Sequence, residues 1–227
     1  MAWRMVIALA LGGAALLTGG AEPTQKPSAL ESQPMGWLNL LPDRDFKDWV
    51  RVPLDPDNKL SDRNPWSVDA DRGVLVCKGK GIKEMLLYKR PFANGIFHVE
   101  WRFLKEEGMP EYNSGIYVRT LLDGKIWTQV QLGQVPNPPL VGDIFGLHMD
   151  EGKYVHSVIT SGVRRAVRPP GEWNTAEVTC KGKEIEVWLN GAIVCRWTEC
   201  PVAKGHVGVQ AELFDVEFRN LKFKPFE

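Results

Sequence analysis

The chain has 227 residues, 44% of them hydrophobic and 25% charged, which excludes a disordered or fibrous polypeptide. Lys plus Arg and Asp plus Glu number 28 each, so the broad basic footprint of a nucleic-acid-binding protein is absent. Nine Trp stand against four Tyr, and such large flat side chains serve either a core or a platform for sugar rings.

The amino terminus reads as an export signal: Arg4, an apolar run from Met5 to Leu17, then small residues from Gly19 to Ala21. The run falls short of the roughly 20 residues that span a bilayer. No second run follows, and no Cys at the junction marks a lipid anchor. The expected division is a signal over 1–21, a flexible lead-in over 22–35 and one domain over 36–227. The mature protein is then expected in the periplasm or outside the cell, without stable membrane insertion.

Beyond the lead-in, helical periodicity is scarce and short β-like runs dominate. Residues 49–69 carry turn signals around Trp49 and Trp66 and read as an irregular segment. Strands are expected at 74–79 and 95–103. The second puts Phe97, Val99, Trp101 and Phe103 on one face and His98, Glu100 and Arg102 on the other. The run 114–119 sets Ile116 and Val118 against Tyr117 and Arg119, and the run 126–133 places Gln129 and Gln131 together. Two long irregular segments follow, 134–150 with Asp143 and His148, and 161–172 with the basic pair Arg164 and Arg165. The strands 173–180 and 184–189 come next, then a hairpin turn at Asn190-Gly191, where a type I′ turn needs positive φ at both positions. Residues 192–197, 206–213 and 215–224 complete about ten strands, which implies a two-sheet sandwich or a barrel.

The polar residues that interrupt these strands are the candidate chemistry. If the runs holding Glu100, Arg119 and Gln131 are neighbours in one sheet, a carboxylate, a cation and an amide converge on one surface. A structural Glu100–Arg119 ion pair is the competing reading. His98 shares the Glu100 face, and Asp143 sits in a Gly-containing loop where it orients a substrate or caps a turn. Glu100 has Asp143, Glu212 or no carboxylate as its partner. Trp37, Trp66 and Trp173 are placed as rim residues, Trp101 as core, and Trp188 on either layer. Of the four cysteines, Cys195 and Cys200 close the smallest loop and are the first disulfide pairing to test. No cofactor is identified, and a divalent metal stays open although no spacing of Cys and His supplies a ligand motif for it.

Several segments together resemble the 3-keto-disaccharide hydrolase domain family: 36–42, 66–79, 97–103, NSGIYVR at 113–119, WTQVQLG at 127–133, and the strands from Arg168 to Lys224. The resemblance implies an all-β, concanavalin A-like sandwich, or jelly roll, of two antiparallel sheets. It also implies cleavage of glycosidic bonds in sugars carrying a ketone at carbon 3, with a non-catalytic carbohydrate-binding module as the alternative. It carries onto Glu100, Asn113, Arg119 and Gln131, with Ser114 and Gly115 opening a strand. Where the family often has Glu-x-Gln followed shortly by Asp, this chain has Gln129-Val130-Gln131 and Gly133. The implied reaction removes the acidified proton on carbon 2 and expels the leaving sugar from carbon 1, and water addition completes net hydrolysis. Glu100 or His98 is then the base and Arg119 the oxyanion stabiliser. Asn113, Gln129, Gln131, Asp143, Trp66 and Trp173 would bind a small oligosaccharide or glycoside.

Overall fold

The computed structural model describes residues 25–133, 140–160 and 167–226. The expected export signal and the Arg164–Arg165 pair lie outside the described residues. Among the described residues there are fifteen strands and one turn of helix, α1 (Ala29–Ser32). The strands are β1 (Leu38–Asn39), β2 (Trp49–Pro53), β3 (Trp66–Asp69), β4 (Val74–Lys78) and β5 (Lys83–Tyr88). They continue with β6 (Gly95–Phe103), β7 (Gly115–Thr120), β8 (Trp127–Gln131), β9 (Ile144–Asp150) and β10 (Lys153–Ile159). The last are β11 (Asn174–Lys181), β12 (Glu184–Leu189), β13 (Ala192–Trp197), β14 (His206–Glu212) and β15 (Asp215–Pro225).

These strands form two antiparallel sheets. The first runs β13-β12-β11-β6-β15-β4-β3, with β1 added beside β15; the second runs β10-β9-β8-β7-β14-β5-β2. The fold is a concanavalin A-like β-sandwich. Period-two alternation explains the layering. Phe97, Val99, Trp101 and Phe103 of β6 point inward with Phe218 of β15, and Ile116, Val130, Ile144 and Val209 meet them from the second sheet. Fully burying each large side chain contributes about 1.5–3 kcal/mol. The two-residue connection at Asn190-Gly191 forms as expected, with φ of 42° and 104°.

Several segments depart from expectation. The irregular stretch 49–69 contains β2 and β3, and 134–150 ends in β9. The described part of the lead-in is not a free tail. Ser28 and Glu31 form a capping box on α1, and the Ala29 and Leu30 amides donate to the Glu177 carboxylate at 2.7 and 3.0 Å. All four cysteines are free and buried. The Cys195–Cys200 pairing is corrected because the two thiols turn to different carbonyls, Cys195 to Ile159 and Cys200 to Val202. No helix among the described residues is long and apolar enough to cross a membrane.

Candidate active site

The expected convergence of Glu100, Arg119 and Gln131 is not what the structure shows. Glu100 belongs to the first sheet, whereas Gln131 belongs to the second and faces away from it. Arg119 lies between the sheets. By alternation it would share the outward face of Tyr117. Between Tyr117 and Thr120, however, β7 carries one residue more than the facing stretch of β14, and Arg119 itself has φ of 50°. This bulge turns the side chain inward, where it is 1% exposed, donates from Nη1 to the Val202 carbonyl at 2.8 Å and lies beside the Cys180 thiol.

Glu100 is held in an ionic cluster on the outer face of the first sheet. A second bulge, in β15 between Arg219 and Lys222, brings two successive side chains onto its carboxylate. Arg219 Nε donates to Oε2 at 2.7 Å and Asn220 Nδ2 to Oε1 at 2.6 Å. Burial opposes ionisation of Glu100, but His98, Asn220 and Arg219 outweigh it and hold the carboxyl down at about 2. His98, 2% exposed, has Nδ1 2.9 Å from Glu177 and Nε2 3.7 Å from Glu100, the latter an ionic rather than a hydrogen-bonding distance. Burial disfavours its charged form, yet the two carboxylates raise its pKa overall. Trp173 lies on the same face, with the guanidinium of Arg219 4.2 Å and that of Arg102 4.7 Å from its ring. Trp37 also sits there, edge-on to His98.

Trp66 is not a rim residue. It is buried against Phe218 and donates Nε1 to Glu84 at 2.8 Å. Asp143 is buried at the turn into β9; its carbonyl accepts the Gln131 amide at 2.9 Å, and its charge helps burial to raise the Cys195 pKa.

A different constellation forms on the outer face of the second sheet. The register Gly208↔Tyr117↔Gln129 and the adjoining positions of Gln210, Gly115 and Gln131 place four polar side chains together. Gln129 Nε2 donates to Gln131 Oε1 at 2.8 Å and to Gln210 Oε1 at 3.2 Å. Gln131 Nε2 donates to Asn113 Oδ1 at 2.6 Å, and Gln210 Nε2 to Glu212 Oε2 at 2.8 Å. Asn113 also favours the ionised form of Glu212, so four amides and one carboxylate are arranged as an open ring. Tyr117 supports it from below, donating its hydroxyl to Gln129 Oε1 at 3.3 Å.

Two glycines make room for this ring. A Cβ on Gly115 would stand 2.6 Å from Gln129 Nε2, and one on Gly133 would stand 2.5 Å from Gln131 Nε2. Gly133, at the position where the resemblance expects an acid nearby, thus makes space for the neighbouring amide. Ser114 pins the strand start by donating to the Gln210 carbonyl at 2.8 Å. The three amides Gln129, Gln131 and Gln210 are buried, while the Glu212 side chain is 20% exposed at the open edge of the ring. Burial raises the pKa of Glu212 above the ordinary carboxyl value, against the pull of Lys83, 3.9 Å away, and of Asn113.

The structure therefore brings together Asn113, Gln129 and Gln131 from the expected set and adds Gln210, Glu212 and Tyr117. Glu212 was legible only as a possible carboxylate partner, and Gln210 carried no signal beyond its place in a strand. No three His, Cys, Asp or Glu side chains converge as a metal site among the described residues.

Residues 36–224 match the family described as the 3-keto-alpha-glucoside-1,2-lyase-like domain. The chain belongs to that family. No curated protein matches the chain. Two solved structures from Parabacteroides distasonis, described provisionally as glycosyl hydrolases, share its fold. One is 19% identical with a TM-score of 0.59, covering 84% of this chain and 99% of the other. The second is 20% identical with a TM-score of 0.57, covering 89% and 100%. Carbohydrate binding module CBM66 from Bacillus subtilis is 11% identical with a TM-score of 0.53, covering 77% of this chain and 93% of the module. At these identities the likeness concerns the fold. It is the family match that joins this 3-keto-α-glucoside lyase-like chain to carbohydrate cleavage.

Proposed function

We propose that this lyase-like domain cleaves 3-keto-α-glucosides at the ring of amides on its second sheet, with Glu212 as the base. The observation that carries the reading is the hydrogen-bonded series Asn113–Gln131–Gln129–Gln210–Glu212, which presents one carboxylate of raised pKa among fixed amides. Amides suit a neutral sugar because each both donates to and accepts from hydroxyls. Linking them in one network fixes their directions before substrate arrives.

The ketone at carbon 3 acidifies the carbon 2 proton. Glu212 takes that proton, and the C2–H electron pair shifts toward C1 as the bond from C1 to the leaving oxygen breaks. The proton passes from Glu212 through water to the leaving oxygen, which leaves an unsaturated 3-keto sugar and a free aglycone. Water adding across C1 and C2 completes net hydrolysis. Lys83, the cation beside Glu212, stands where it can balance charge developing on the ketone oxygen. A carboxyl raised toward neutrality is better matched to this proton transfer than one held near 2, which is why Glu212 is preferred to Glu100.

The test is incubation with a 3-keto-α-glucoside, following release of the aglycone. Wild type and Glu100→Gln should turn over, while Glu212→Gln should not. Equal turnover by Glu212→Gln removes it as the base. Four of the five ring members are neutral amides, which favours binding without cleavage as the second reading. Sugar-dependent stabilisation with no product would establish that alternative. The signal-like segment 1–21 supports export; sequencing the amino terminus of the mature protein from its cell fraction tests this.

A further inference from the structure

The ring of amides does not fill the outer face of the second sheet; an apolar strip flanks it on either side. On one side Val52, Met85 and Leu87 continue the rows of Gln210 and Gly208 through β5 into β2. They are buried, with Tyr117, in a cluster of their own. The chain itself covers this strip: a Cβ on Gly124, in the turn before β8, would stand 3.1 Å from Val52 Cγ1 and 3.3 Å from Met85 Cε.

The other strip is open. The register Gln129↔Phe145↔Val158 continues the face across β9 and β10, in steps of about 4.8 Å from strand to strand. Alternation adds Leu147 and Met149 on β9, and Tyr154 and His156 on β10. Val158 is 58% exposed, Tyr154 55% and Met149 41%, while Phe145 and Leu147 are half-buried. Trp127 borders the strip, its ring 6.3 Å from that of His156. None of these six residues of β9 and β10 is Asp, Glu, Lys or Arg, and only the Tyr154 and His156 side chains carry nitrogen or oxygen.

Contiguous exposed apolar side chains beside a polar site mark a binding surface. This one adjoins the ring at Gln129, so its occupant is the part of the substrate that extends beyond the sugar. A second sugar would lose water from its hydroxyls against Phe145, Leu147 and Val158 and find few partners in exchange. An apolar ring gains by the same contact.

We propose that Phe145, Leu147 and Val158 form an aglycone subsite, and that the domain selects 3-keto-α-glucosides of an apolar alcohol over 3-keto disaccharides. This subsite rests on the ring of amides being the sugar site of the proposed reaction, but its selectivity is a matter of affinity and is readable without cleavage.

The experiment compares cyclohexyl and methyl 3-keto-α-glucosides, whose leaving alcohols are of similar basicity, with a 3-keto α-linked disaccharide. KM and kcat are measured on the wild type and on Val158→Asp, a change at an exposed position. The wild type should favour the cyclohexyl substrate over both others by about tenfold in KM, with similar kcat for the cyclohexyl and methyl compounds. Val158→Asp should reduce that preference to about twofold or less. Absence of turnover with all three compounds would sink the cleavage reading alone; their Kd values from calorimetric titration then make the same comparison. Equal KM or Kd for the cyclohexyl and methyl compounds, tighter binding of the disaccharide, or a preference that survives Val158→Asp would each overturn the subsite. So would a wild-type dimer in sedimentation that Val158→Asp splits with the preference intact, which would give the strip to a second copy of the chain.

Discussion

The two outer faces of the sandwich are built from different chemistry. On the first sheet formal charges are matched almost one for one: Arg72 and Arg102 on Glu217, Arg219 on Glu100, His98 on Glu177. On the second sheet the polar groups are neutral amides around one carboxylate whose ionised form is disfavoured by burial. Matched charges bind each other and fix backbone, whereas a network of amides ending in an under-stabilised carboxylate keeps chemistry available for a ligand. The presence of carboxylates therefore does not locate reactivity; the degree to which their charge is already satisfied does.

The strongest way to break this contrast is to remove each carboxylate in turn. Glu212→Gln should lower turnover of a 3-keto-α-glucoside by about 10²–10⁴-fold with little change in Tm. Glu100→Gln should leave turnover intact and cost about 1 kcal/mol in urea unfolding, because Arg219, itself partly exposed, loses its ionic partner. Reversed phenotypes would exchange the roles of the two faces.

Titration separates the faces next. The Glu100 contribution to stability is complete above its ordinary pKa of 4.5 and disappears as pH falls from there toward about 2. The His98 contribution runs the other way, complete below 6.5 and lost as pH rises through its elevated pKa. Activity, by contrast, should fall on the acid side at a pH above 4.5, because the Glu212 base has a raised pKa. Profiles of kcat/KM and of Tm against pH should therefore diverge on the acid side, the fold outlasting the reaction. Coincident acid limbs would contradict the assignment of Glu212.

Smaller effects sharpen the picture. Gly115→Ala drives a methyl into Gln129 and should cost about 1–3 kcal/mol while weakening substrate binding. Trp173→Ala removes the surface on which two guanidinium groups rest and should cost about 1 kcal/mol, with turnover unaffected.

The layering of the sandwich was legible because alternation along 95–103, 184–189 and 206–213 has period two, and Asn190-Gly191 announces its own turn. The family resemblance likewise agrees with the match over residues 36–224. The site was legible only in part. Asn113, Gln129 and Gln131 were placed among the binding residues and do meet. The grouping with Glu100 and Arg119 failed for two physical reasons. Which sheet a strand joins is decided by pairing across the chain, which the period of β6 does not contain. An extra residue in β7, and another in β15, then shifts the alternation that a sequence reading assumes. β2 and β3 were missed because prolines and charges dominate 49–69, while the strands themselves are only five and four residues long.

The lead-in beside β12 and β13 also gives the domain a back and a front. Lys26 and Gln25 hydrogen-bond the Gly191 and Asn190 carbonyls, on the side away from Glu212. A partner that seized this edge of the first sheet would hold the molecule from behind rather than over the ring of amides.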